Sequence, residues 1–368
     1  MTETARAPQR GWKLGTMKRA KLGWIGVDIG SQAIKLVQLE RTGTSLHIAA
    51  RWTLVDPTAS TLQREDLCAE GLQKRLCDMK KLRRLFVGHA CAAVLPMSLV
   101  DFRTLEIPAG DATEQRRMVA EELAADLGQE PADLAFDFWP ISRSPAAGEE
   151  LTQVATLAVP LSVAAGVAKQ LLQAGLECQT LDGVPCALAR AVAMAETPLD
   201  DQVSLALDLG YRSPLLVLVK QGRPVFSRVL RAGSLHSIMR PLIDQLQLSP
   251  AECNQLLSSY GVPAPHQPVS LVAQKTMPLI AAPLHQLVDE VTRTTDYMAQ
   301  QFRGLQPRQL WLFGGGSQIN HLDAYLGDKL QIPTSLWNLP GEPPDASAAL
   351  YGQATGLSAL AWEVAACT

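Results

Sequence analysis

The sequence predicts an α/β protein of two duplicated lobes, each with a mixed five-stranded-type sheet and helices, and a small α/β insert in the first lobe. Three observations predict it. The order strand, Asp-x-Gly turn, hairpin occurs at WIGVDIGSQAIKLVQLE (Trp24 to Glu40) and recurs at VSLALDLGYRSPLLVLVKQGRPVFSRVL (Val203 to Leu230), which marks an internal duplication. A strand-helix-strand piece of different character follows the first copy. The chain has 368 residues, too many for one ordinary core.

The elements follow in order. WIGVDI, AIKLVQLE and LHIAARWTLV read as successive strands, separated by turns at Gly30-Ser31 and at Arg41 to Thr44. Leu62, Leu67, Leu72, Leu76 and Met79 recur near helical spacing and predict a helix over 62–80. FVGHACAAVL reads as a buried strand. SLVDFRTLEIP, a helix over DATEQRRMVAEELAADL and DLAFDFWPI form the insert, with Asp111 as N-cap and Glu114 at the capping-box offset. SRSPAAGEEL is a surface turn, and TQVATLAVP opens a second phase of strand, helix, strand and helix that ends near Ala195. After the second Asp-x-Gly copy come a helix from Ala232, a Pro/Ser-rich loop over 258–270 and a long helix over LIAAPLHQLVDEVTRTTDYMAQQF. The strand QLWLF, the corner GGGS, a helix from Ile319 and an Ala-rich helix near 345–359 complete the chain. The expected boundaries are a leader over 1–21, a first lobe over 22–198 with its insert at about 98–142, a second lobe over 199–344 and a C-terminal helix over 345–368 that returns to the first lobe.

Composition narrows the function. Apolar content of 47% with 19% charged residues is that of a folded globule. A net charge of −3 gives no basic surface for nucleic acid. The exception is the leader, with six Lys/Arg against one Glu, read as a disordered start. No run reaches the roughly 18 apolar residues of a membrane span. Seven scattered cysteines without a C-x-x-C pair, and six histidines without a ligand-like pair, point to reduced thiols rather than a zinc site.

The Asp-x-Gly corners carry the chemistry. Gly30 lets the backbone turn so that N–H groups face an anion, and Ser31 adds a hydroxyl donor. Asp28 at the strand end suits Mg²⁺ held through water, and Lys35 extends its ammonium toward a phosphate. A metal and phosphates would also compensate a carboxylate inside an apolar strand. Asp208 and Gly210 supply a facing turn and a second metal carboxylate. There Tyr211 and Arg212 stand where a small hydroxyl residue would donate best. Gly314, Gly315, Gly316 and Ser317 read as a corner opening a helix, where a ring or phosphate can approach the backbone. Glu290 and Arg293 share a helix face, either as a surface ion pair or as a cleft wall holding ribose or adenine. Three ordinary strand-end turns remain the alternative to one shared nucleotide site.

Together these residues resemble the actin-like ATPase superfamily, which includes actin, heat-shock chaperone ATPase domains, sugar kinases and FtsA. Within it they are most similar to the PilM family of type IV pilus assembly proteins. The insert, LDGVPCALARA, DEVTRTTDYMAQQF and LWLFGGGSQINHLDAYLGDKLQIPTSLWN match PilM segments in order. The resemblance implies ATP and Mg²⁺ bound between the lobes. Asp28, Gly30, Ser31 and Lys35 would serve phosphates and metal, with Asp208 and Gly210 facing them. Gly314 to Ser317, Glu290 and Arg293 would hold the nucleoside.

It further implies a cytoplasmic scaffold at the inner face of the inner membrane. That scaffold would bind the short cytoplasmic N-terminal tail of a PilN-like inner-membrane protein, with self-association as a further expectation. Strand addition at an insert edge such as LVDFRTLEI or LAFDFWPI is our own reading of where the tail docks. The departure at Tyr211-Arg212 limits hydrolysis to a slow ATPase at most. The competing readings are an actin-fold small-molecule kinase and a degenerate scaffold without nucleotide. A pilus machine, type II secretion and DNA uptake are equally compatible.

Overall fold

Period-two alternation in the two Asp-x-Gly strands decides which way their acids point. The computed structural model describes residues 21–55, 83–141, 151–196, 202–263, 269–302, 306–343, 345 and 347–367. The expected leader and the helix over 62–80 lie outside these, apart from Lys21, as does most of the turn at 142–151. In β1 (Lys21–Ile29), Ile25, Val27 and Ile29 face a core shared with Val167 and Leu171 of α2 (Leu161–Gln173). Gly26 and Asp28 therefore face the other way. In β9 (Val203–Asp208), Leu205 and Leu207 enter the second lobe's core, so Ala206 and Asp208 face inward.

The duplication holds strand by strand. The first sheet has the order β3-β2-β1-β4-β8, from β2 (Ala33–Thr42), β3 (Ser45–Val55), β4 (Ala90–Leu95) and β8 (Glu177–Gly183). The second has β11-β10-β9-β12-β13, from β10 (Leu215–Lys220), β11 (Arg223–Val229), β12 (Pro307–Phe313) and β13 (Thr334–Leu336). In each, the hairpin strands pair antiparallel and the two crossover strands parallel.

Between the inner faces lie α3 (Val184–Ala195) and the C-terminal α8 (Gly352–Cys367). One core unites them with Val37 and Ala92 of the first sheet and Ala206 and Val217 of the second. Contact there is close because the residues are small. A Cβ on Gly26 would stand 1.9 Å from the Ala354 carbonyl oxygen, and one on Gly356 2.3 Å from that of Ala187.

The second lobe's outer face is covered by α4 (Leu235–Leu246), α5 (Pro250–Tyr260), α6 (Leu271–Gln301) and α7 (Leu322–Leu330). Here the sequence reading needs correction. The stretch after Ala232 holds two helices, α5 being announced by its own capping box of Ser249 and Glu252. The long helix begins eight residues earlier than expected, at Leu271, with Ser270 as N-cap.

The insert also differs from expectation. Asp111 and Glu114 form the expected capping box of α1 (Ala112–Leu127). Its sheet, however, has the order β5-β7-β6, from β5 (Asp101–Pro108), β6 (Leu134–Pro140) and β7 (Leu151–Pro160). TQVATLAVP is thus the insert's central strand, so the insert extends past residue 142. β7 pairs antiparallel with both β5 and β6, which do not pair with each other. The insert reaches the second lobe, where Trp139 Nε1 donates to Pro224 O at 2.8 Å. No helix among the described residues is long and apolar enough to cross a membrane.

Candidate functional site

Asp28 and Lys35 are direct partners in the β1–β2 ladder, so their side chains leave the same face side by side. Lys35 Nζ donates to Asp28 Oδ2 at 2.8 Å, with the two side chains 12% and 5% exposed. Burial alone would pull the Lys35 ammonium down. Asp28 and, further off, Asp208 outweigh it and hold the pKa above the ordinary lysine value. The cation that compensates Asp28 is therefore a neighbouring lysine, not only an incoming metal.

Asp208 ends β9 in the equivalent place, but its ladder partner is Leu215. Its support comes from α8 instead, where Gln353 Nε2 donates to Asp208 Oδ2 at 2.7 Å. Burial pushes the Asp208 carboxyl up to about 6; nearby Lys35 and the Gln353 hydrogen bond lower it, while Asp28 adds to the rise. The residue is half-buried and lines the cleft.

The two corners share one turn geometry. A Cβ on Gly30 would meet Ala33 O at 2.8 Å, and one on Gly210 would meet Ser213 O at 3.2 Å, the same three-residue offset. Gly30 N donates across its turn to Ala33 O at 3.0 Å, so that N–H is spent on the turn itself. Ser31 and Gln32, the next two residues, line the cleft.

A cleft of about 370 Å³ opens where these corners meet. Asp28, Gly30, Ser31, Lys35, Asp208, Gly210, Gly314 and Gly315 all line it. Its volume is in the range of small-molecule sites. Four expected residues lie elsewhere. Gly316 and Ser317 are buried: a Cβ on Gly316 would stand 2.1 Å from Leu209, and Ser317 Oγ donates back to Gly314 O at 2.7 Å. Gly315–Gln318 is a short 3-10 turn and α7 begins only at Leu322, so no helix N-terminus points from this corner.

Glu290 and Arg293 do not line the cleft. Arg293 Nη2 bonds Glu290 Oε1 at 3.0 Å, and Glu290 turns toward Arg228 of β11, whose Nη2 lies 3.8 Å from Oε2. At that separation Oε2 has charge compensation but no hydrogen bond. The two form an ion pair, but with Glu290 buried rather than on a solvated surface.

No family model matches the chain. Among solved structures it superposes on a chain of the PilM–PilN type IV pilus biogenesis complex with TM-score 0.72 at 23% identity, covering 92% of this chain and 98% of that one. The ethanolamine utilization protein EutJ from Carboxydothermus hydrogenoformans follows with TM-score 0.50 and 13% identity, over 92% and 89% of the two chains. With the duplicated sheet order, these superpositions decide the architecture. The chain has the actin-like ATPase fold.

Two features of the actin-like cleft escaped sequence reading. Gln353 is 145 positions from Asp208, and only the packing of α8 between the sheets brings it there. Tyr211 packs edge-on against His236, ring centroids 5.4 Å apart, while His236 N donates to Tyr211 O at 2.8 Å. The aromatic thus anchors α4 to the loop, and Arg212 is left exposed at the cleft.

The donor set can be tested against a magnesium ion. Among the described residues no group of three or more His, Cys, Asp or Glu gathers as a metal cage. Two carboxylates at a cleft suit Mg²⁺, which keeps waters and takes phosphate oxygens as remaining ligands. The donor set fits.

The raised Asp208 carboxyl has a consequence for stability. It takes up a proton near 6 in the folded chain against 3.8 as the ordinary value, so between these values the folded state holds the extra proton. The stability from this group is therefore present at low pH and lost as pH rises through about 6. Asp208→Asn should raise metal-free stability by about 1–3 kcal/mol at about pH 7.5 and leave it unchanged near about pH 4. Urea denaturation at both pH values reads the difference, and a variant no more stable at either contradicts it.

Proposed function

We propose that the chain binds ATP with Mg²⁺ in this cleft and serves as a scaffold of type IV pilus assembly or a related secretion or DNA-uptake machine. One observation carries the nucleotide reading: both acid-Gly turns, Lys35 and the Gly314-Gly315 corner converge on one cleft between duplicated sheets. Lys35 and the Ser31 hydroxyl would contact phosphate oxygens, and Asp28 and Asp208 are the carboxylates available to the metal. When bound, the magnesium ion would neutralise phosphate charge. Closure on the nucleotide requires that it bind the closed lobes more tightly than the open ones.

Likeness to a chain of the PilM–PilN complex supports the scaffold role. A PilN-like inner-membrane protein would present its cytoplasmic tail to an edge strand of the insert, β5 or β6, by strand addition. The chain would then sit in the cytoplasm against the inner membrane through that partner. With Tyr211 anchoring α4 rather than offering a hydroxyl, hydrolysis would be slow. The kinase alternative lacks support: among the described residues Asp28 and Asp208 are the only acids lining the cleft, which leaves no separate general base there.

Thermal unfolding with and without Mg-ATP tests the reading. At a hundredfold excess over Kd, binding should add about 2.7 kcal/mol of stability. An unchanged transition at millimolar nucleotide would leave the nucleotide-free scaffold in its place.

A further inference from the structure

The structure assigns different work to the two carboxylates of the cleft: Asp208, positioned by Gln353, carries the metal, while Asp28 is committed to Lys35 on the phosphate side. The inference rests on the nucleotide reading above and divides its site.

The duplication makes the comparison direct. Asp28 and Asp208 occupy equivalent strand ends, yet the equivalent ladder partners are Lys35 and Leu215. Asp28 and Lys35 sum to zero charge at 2.8 Å. Asp208 accepts from a neutral amide at 2.7 Å, so its own hydrogen-bond partner cancels none of its charge. A lysine in place of Gln353 would cancel it.

The amide also fixes geometry. Gln353 holds Oδ2, while Oδ1 rests beside the backbone of Gly314, where a Cβ would stand 2.1 Å away. Gln353 is itself buried, at 6% exposure, on a helix whose height over β1 is set by the close approach of Ala354 to Gly26. Magnesium tolerates little departure from octahedral geometry, so a carboxylate oriented by a hydrogen bond to one oxygen is a better ligand than a free one. Gln353 acts through Asp208 and is a positioning residue.

Titration calorimetry with a non-hydrolysable ATP analogue, in magnesium and in EDTA, separates the two sides. The readout is the affinity ratio between the two buffers, checked by the water-proton relaxation of bound Mn²⁺. Gln353→Leu should lower the ratio about 10- to 100-fold and leave the EDTA affinity within about twofold. Gln353→Met, which keeps the side-chain length, should do the same if the leucine variant fails to fold. Asp28→Asn should weaken binding in EDTA while keeping the ratio. A wild-type ratio in both Gln353 variants, or its loss in Asp28→Asn, overturns the division. A wild-type chain that binds the analogue in neither buffer overturns the nucleotide reading, and the division with it.

Discussion

Lys35→Met should abolish nucleotide binding and lower stability by about 3–5 kcal/mol at neutral pH, the cost of orphaning one partner of a buried ion pair. Methionine replaces most of the stem volume, so the loss reports charge rather than packing. Asp28 is 5% exposed on the side-chain level and shares its cleft with Asp208. Without the ammonium, two carboxylates share the cleft with no neighbouring cation hydrogen-bonded to either among the described residues. Acidification should recover part of the loss as the cleft carboxylates take up protons, because the folded variant then binds more protons than the unfolded chain. Denaturant midpoints at neutral and mildly acidic pH measure this. A variant as stable as the wild type at neutral pH would mean that the Asp28–Lys35 pair contributes nothing.

Gly26→Val should be comparably severe for a different reason. The new Cβ would lie 1.9 Å from the Ala354 carbonyl, backbone against side chain with no flexible end to give way. The helix α8 must lift from β1, and with it the core that joins the two sheets. Overpacking of this kind costs about 3 kcal/mol or more. Because Gln353 adjoins Ala354, lifting α8 also draws the amide from Asp208, so any folded fraction should bind the Mg–nucleotide more weakly. A variant within about 1 kcal/mol of wild type would show that α8 can shift without cost.

Which parts of this were legible in the sequence follows from the range of the interactions. The two Asp-x-Gly copies are local patterns, and alternation within each strand already places the acids opposite the apolar core. Lys35 is seven residues from Asp28, and hairpin register brings them together. The capping box of Asp111 and Glu114 is likewise local, and the structure contains it. The box at Ser249 and Glu252 has the same spacing and was there to be read.

Longer-range facts were not legible. Gln353 reaches Asp208 through the packing of a helix from the chain's end, which no spacing announces. β7 enters between β5 and β6 by sheet order alone. At the glycine corner the residue type was right but the reason differed. Gly314 makes room for Asp208 Oδ1 and Gly316 for Leu209, so packing within the protein demands these glycines before any ligand does. Glu290 and Arg293 show the converse: a helix-face pair read from spacing faces Arg228 rather than the cleft.

A crystal structure of the chain with magnesium and a non-hydrolysable ATP analogue tests the central claim most directly. The triphosphate should lie between the Gly30-Ser31 and Gly210 turns with Lys35 Nζ in contact with it. An analogue bound outside this cleft, or phosphates remote from both turns and from Lys35, would contradict the account.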